Sequence, residues 1–317
     1  MTDAAREPTR TGEGVWRSGR FEPADFAALA SLELRARRVM EGFLHGLHGS
    51  PFHGLSVEFT DYRDYQPGDD LRHLDWRLYA RSDRLCIKRY EHETNTRCLL
   101  AVDTSGSMAY RGSRAWGSKL EAARVLALAL GWFLMRQNDA VGLLALGAGE
   151  SEQRVGELCY LPPAHRPSQQ GALLGRLRDL EPQSSQGLVE LLDRCRHLTG
   201  RRGLMILLSD FLDGAEALTQ PLERLRFAGY DLVAIQLLDP DEVDFPFAEG
   251  TLFEDLESGQ RRQISQGAAE RYRSRFESFL EAHRAQFRRL EIPHWTLRTD
   301  QDPAQVLGRS LAERARR

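Results

Sequence analysis

Five consecutive apolar or small residues, Cys98 to Val102, run into Asp103, Ser105 and Ser107. An unbroken run of this length predicts a central strand of a parallel sheet, buried on both faces. One carboxylate and two hydroxyls at alternate positions then form an oxygen-rich loop at the strand's carboxyl end, the crevice where open α/β sheets bind ligands. Gly203 to Leu208 repeats the pattern and delivers Ser209 and Asp210. With the two strands side by side, Asp210 points into the same crevice as Asp103 and can reach a metal through water.

Hard oxygen ligands with little net charge suit Mg²⁺ or Mn²⁺, held partly through water with one coordination position open. Such a site is an adhesive, because a partner's carboxylate completes the octahedron. The same residues also describe a Ser/Gly turn capping the next helix. At average composition D-x-S-x-S arises by chance in roughly one chain in ten of this length, so it is the position after a buried strand that raises it.

With 317 residues, 28% of them charged and 41% hydrophobic, the chain has the composition of a globular protein with a large core. A net charge of -3 gives no electrostatic reason to expect nucleic acid or anionic membrane as partner. Lys88 and Lys119 are the only lysines, which reads as codon bias rather than phosphate recognition. Cys86, Cys98, Cys159 and Cys195 form no C-x-x-C pair and are expected to be free thiols. Residues 1–20 are polar, without a signal-peptide core, and read as a disordered leader. The most apolar run, Val125 to Met135, is 11 residues long, short of the roughly 20 that span a bilayer. A cytoplasmic protein without direct membrane insertion is expected.

Residues 21–96 make the first region. A helix is expected over 23–47, followed by His45, His48 and His53 in a Gly- and Pro-broken segment that reads as loop rather than metal trio. Residues 56–93 interleave aromatics with both signs of charge and alternate like strands around a Pro67–Gly68 turn. Asp69, Asp70, Arg72, Asp75, Arg77 and Arg81 are close enough in sequence for carboxylate and guanidinium pairing, and Trp76 lies among them. Two readings stand: a small β-rich subdomain braced by ion pairs, or a partner-binding surface centred on Trp76.

Residues 97–317 alternate strands and helices. Helices are expected over 118–136, 168–179, 187–198, 214–228, 267–290 and 303–314, and strands over 140–146, 157–161, 203–208, 231–238 and 294–298. A hairpin insertion interrupts the rhythm near 241–266. Alternating βα units imply an α/β fold whose mostly parallel sheet carries helices on both faces.

The string D-T-S-G-S-M after one strand and S-D after a later one resembles the metal-ion-dependent adhesion site of von Willebrand factor A domains. With P-G-D-D-L-R-H-L-D-W upstream, the chain resembles the bacterial family called domain of unknown function number fifty-eight, over about residues 34–311. The resemblance implies a Rossmann-like von Willebrand A domain with an N-terminal β-rich addition. It also implies an adaptor or co-chaperone-like partner of a MoxR-type AAA+ ATPase, or of its client protein, with no established chemistry. Residue by residue, the adhesion site maps to Asp103, Ser105, Ser107 and Asp210. The threonine of an intervening loop is the departure, its position holding Gln186 or, with a small shift, Ser185.

Enzyme signatures are incomplete. A phosphatase using Asp103 as nucleophile lacks a second acid two residues on, where Ser105 stands, and no G-x-S-x-G occurs. Gly112 to Lys119 mimics a P-loop with Ser118 and Lys119 in the wrong order, and Gly147 and Gly149 lack the third glycine of a dinucleotide loop, where Glu152 stands. A non-catalytic interaction module is expected. The alternatives are a hydrolase using the same metal to activate water, and a structural protein with a vestigial site.

Overall fold

A computed structural model describes residues 23–27, 31–48, 61–64, 79, 84–89, 96–147, 158–182, 187–194, 203–256, 259–265 and 267–314. The expected leader, the segment carrying Asp69, Asp70, Arg72, Asp75, Trp76 and Arg81, and the Ser185–Gln186 step all lie outside the described residues.

The chain enters through two helices, α1 (Pro23–Ala27) and α2 (Leu32–His48), where one was expected. His45 and His48 fall in the last turn of α2 rather than in a loop. Next come β1 (Asp61–Asp64) and β2 (Cys86–Arg89), an antiparallel pair. Then β3 (Arg97–Val102), the organising run, leads through a single 3₁₀ turn at Gly106–Ala109 to α3 (Lys119–Arg136). Ser118 starts α3 with a reciprocal cap: its Oγ accepts from the Glu121 amide at 3.1 Å, and its own amide donates to Glu121 Oε2 at 2.8 Å. The order continues with β4 (Ala140–Leu146), β5 (Leu158–Ala164), α4 (Ser168–Arg178), α5 (Leu188–Arg194), β6 (Gly203–Ser209), α6 (Ala215–Phe227) and β7 (Tyr230–Leu238). A short helix that was not expected, α7 (Pro240–Asp244), opens the insertion and precedes the expected hairpin of β8 (Leu252–Glu254) and β9 (Arg261–Gln263). The chain closes with α8 (Ala268–Arg289), β10 (His294–Arg298) and α9 (Pro303–Arg314).

Six strands form one sheet in the order β10-β7-β6-β3-β4-β5, parallel except for the outer strand β5. In chain order this is the 3-2-1-4-5-6 arrangement of a Rossmann-like doubly wound sheet. Side chains alternate across it. Cys98, Leu100 and Val102 join a core with α2, α3, α4 and α9, whereas Leu99 and Ala101 join one with α5, α6 and α8. Helix α2 packs directly on α3, with Phe43 edge-on to Phe133 at 4.9 Å. The core therefore draws on residues from both sides of position 97. Cys98 and Cys159 are buried free thiols. Among the described residues no helix is long and apolar enough to cross a membrane.

At the sheet's outer strand, Pro162 and Pro163 lie opposite Gly142 of β4, where the register slips between Val141 and Leu143. A Cβ on Gly142 would meet the Leu161 carbonyl oxygen at 2.4 Å and Pro163 N at 2.7 Å. Glycine is thus required by the close approach of β5.

Candidate functional site

Strands β3 and β6 are parallel neighbours, Val102 pairing with Leu208, and the Asp103 amide donates to the Leu208 carbonyl at 2.9 Å. Their carboxyl ends therefore release Asp103 and Asp210 side by side, as the sequence requires for a shared crevice. Asp103 is 2% exposed. Its Oδ1 accepts from the Ser105 amide at 2.9 Å, and its Oδ2 accepts from Ser209 Oγ at 2.5 Å. Ser209 Oγ in turn accepts from the Phe211 amide at 2.8 Å, which fixes the turn where the bulky Phe211 takes a left-handed φ of 61°. Burial pushes the Asp103 carboxyl up to about 7; the Asp210 charge adds to this, and the bonds from Ser209 and Ser105 oppose it.

Ser105 and Ser107 bring their hydroxyl oxygens to 3.1 Å from each other. Two adjacent ligands of an octahedral Mg²⁺, each about 2.1 Å from the ion, stand about 3 Å apart, so the pair has the spacing of a cis edge. Ser105 is buried and Ser107 half-buried, which places the way in from solvent at Ser107. Among the described residues no three His, Cys, Asp or Glu side chains are gathered to hold a metal ion. Asp103, Ser105 and Ser107 are the residues that would hold a divalent cation here, and it would supply an electrophilic position for an anionic oxygen.

Asp210, expected beside Asp103 in the crevice, also has partners of its own. Its Oδ2 accepts from Lys119 Nζ at 2.7 Å and its Oδ1 from the Leu212 amide at 3.2 Å. The Lys119 ammonium also donates to Glu242 Oε1 at 2.6 Å and lies 6.0 Å from the Tyr110 ring centroid. Lys119 is fully buried, in the first turn of α3, where the helix dipole disfavours a cation. Burial depresses its pKa, but the two carboxylates overcome that and hold the ammonium above the ordinary lysine range. Burial raises Glu242 above the ordinary carboxylate range, with Lys119 opposing.

Glu242 is set by the reciprocal cap of α7, where its Oε2 accepts from the Asp239 amide at 3.1 Å and Asp239 Oδ1 accepts from the Asp241 amide at 2.8 Å. The same turn grips the loop after Ser107. Gly112 donates its amide to Asp239 Oδ2 at 2.7 Å, Ser113 its amide to Asp241 Oδ2 at 2.9 Å, and Arg114 Nε donates to Asp241 Oδ1 at 2.9 Å. Gly112 has no room for a Cβ, which would stand 2.3 Å from Asp239 Oδ1. Across the crevice, Asp213 Oδ2 accepts from the Leu188 amide at 2.8 Å, tying the start of α5 to the end of β6. Lys119, Glu242, Asp213, Asp239 and Asp241 are the site residues that sequence reasoning missed. One signal was available: Lys119 is one of two lysines among 43 basic residues, set where a helix least tolerates it.

Solved structures similar to this chain include BatB from Bacteroides thetaiotaomicron, at 18% identity and a TM-score of 0.40 over 70% of this chain and 100% of that one. The SpRpn10 VWA domain is similar at 10% identity and a TM-score of 0.36, over 68% of this chain and 93% of its own. At such scores these likenesses add nothing to what the strand order shows. Sequence relatives are nearer. Uncharacterized proteins of Mycobacterium bovis and Mycobacterium tuberculosis are each 31% identical over 303 residues, covering 93% of this chain and 91% of theirs. The model of the family described as "Protein of unknown function DUF58" matches residues 61–286, and the chain belongs to that family.

Proposed function

We propose that this chain is a non-catalytic, cytoplasmic protein–protein interaction module. Its crevice at the ends of β3 and β6 takes an acidic side chain of a partner through Mg²⁺ or Mn²⁺ held by Asp103, Ser105 and Ser107. One observation carries the reading: two serine hydroxyls at 3.1 Å, one of them half-exposed, beside a buried carboxylate. A hard cation fits that set, and the set brings so little charge that an incoming anion is favoured. The partner we propose is a MoxR-type AAA+ ATPase or its client, for which the chain acts as adaptor.

The non-catalytic part of the reading has a geometric basis. A metal hydrolase needs an accessible base to take a proton from water. Of the carboxylates around the crevice, Asp103 and Asp210 are buried, and Asp210 and Glu242 are paired with the Lys119 ammonium. Calorimetric titration of Mg²⁺ and Mn²⁺ into wild type and Asp103→Ala, with and without a MoxR-type ATPase, tests the reading. Saturable binding that Asp103→Ala abolishes and the ATPase tightens is expected. Partner capture unchanged by Asp103→Ala would remove the crevice as the docking point.

A further inference from the structure

We propose that Lys119 holds Asp210 out of the coordination sphere of a divalent ion in the crevice, so that the site lacks a second carboxylate of its own. The inference rests on the metal reading above and names what sets its dependence on a partner. Asp103 brings one negative charge and the serine hydroxyls bring none. A divalent cation on these three residues keeps a surplus positive charge in a crevice whose lining is nearly closed to solvent, where screening is weak. Asp210 is the carboxylate at the neighbouring strand end, yet it is already paired with a buried cation, Lys119 Nζ at 2.7 Å, where Asp103 is held by neutral donors, the Ser105 amide and Ser209 Oγ.

The ammonium is in no position to step aside. It is fully buried and bridges two carboxylates on separate turns, and Glu242 is itself fixed to the Asp239 amide. Parting a buried ion pair leaves an uncompensated charge on each side. Lys119 therefore acts as a positioning residue: it neutralises Asp210 from within and leaves the surplus for an external carboxylate, an Asp or Glu side chain entering past Ser107.

The test is Mn²⁺ affinity of the full chain by calorimetry, in chloride and in acetate as a free carboxylate, for wild type, Asp103→Asn, Asp210→Asn and Lys119→Met. We expect acetate to tighten wild-type binding about threefold or more, and Asp103→Asn to abolish binding. Asp210→Asn should stay within about twofold of wild type, because its carboxylate does not ligate. Lys119→Met, which frees Asp210, should bind about tenfold tighter in chloride and lose the acetate effect. A merely structural ion pair predicts no gain in affinity. If Asp210→Asn loses binding as completely as Asp103→Asn, Asp210 is a ligand and the inference is overturned while the metal reading stands. Wild type that binds no Mn²⁺ in either salt, or Asp103→Asn that binds as wild type does, overturns the metal reading and this inference with it. Should Lys119→Met not fold, Asp210→Asn alone decides.

Discussion

Asp103 carries a charge that its burial opposes. Its carboxyl, ordinarily at 3.8, is raised to about 7 in the folded chain, so between those values the folded state binds a proton that the unfolded state releases. The stability associated with that proton is fully present below about pH 4 and is lost as pH rises through 7. Urea denaturation in chelator should show wild type weakening against Asp103→Asn across that window, by roughly 4 kcal/mol at its full extent. Parallel curves would mean that Asp103 is not strained by burial. At pH 8, Mg²⁺ should return stability to wild type and not to Asp103→Asn, by mass action on the folded state. Lys119 obeys the opposite logic, since its charge is the one its surroundings demand. Lys119→Met strands two buried carboxylates and should cost about 3–5 kcal/mol at neutral pH, read as a shift of the denaturation midpoint.

Elements carry the site by their ends. Ser118 closes the first turn of α3, directly before Lys119, and Ser118→Ala should cost about 1 kcal/mol in chemical denaturation. In β4, Gly142→Ala drives a methyl into the β5 backbone and should cost about 2 kcal/mol or more; an unchanged midpoint would show that β5 can retreat. Strands β3, β6 and β7 were legible in the sequence because each is a local apolar run with a polar stop, and the fall of Asp103 and Asp210 at such stops made the crevice legible too. Helix α7 was not read because D-P-D-E-V-D is nearly all acidic, although Asp239, Pro240 and Glu242 spell a cap with proline in the first turn. Lys119 was not legible for a different reason. Its two partners lie 91 and 123 residues away in sequence, and no local pattern brings them together. Only the strand order does.

At the scale of the molecule, α2 belongs to the same core as the sheet: Phe43 is 2% exposed and Phe26 packs edge-on to Trp116 at 4.8 Å. Phe43→Ala should therefore lower stability by about 3–5 kcal/mol while thermal unfolding stays a single calorimetric transition. A separate early transition would mark the N-terminal helices as an independent unit. The sheet's outer strand has a consequence for how copies of this chain meet. Of two consecutive strand residues, one amide faces the neighbouring strand and the next faces outward. With proline at both 162 and 163, two consecutive backbone donors are missing from the outer strand where the register slips. At that border the sheet has no continuous ladder to offer another strand, so crowded copies are denied one route to edge-to-edge fibrils.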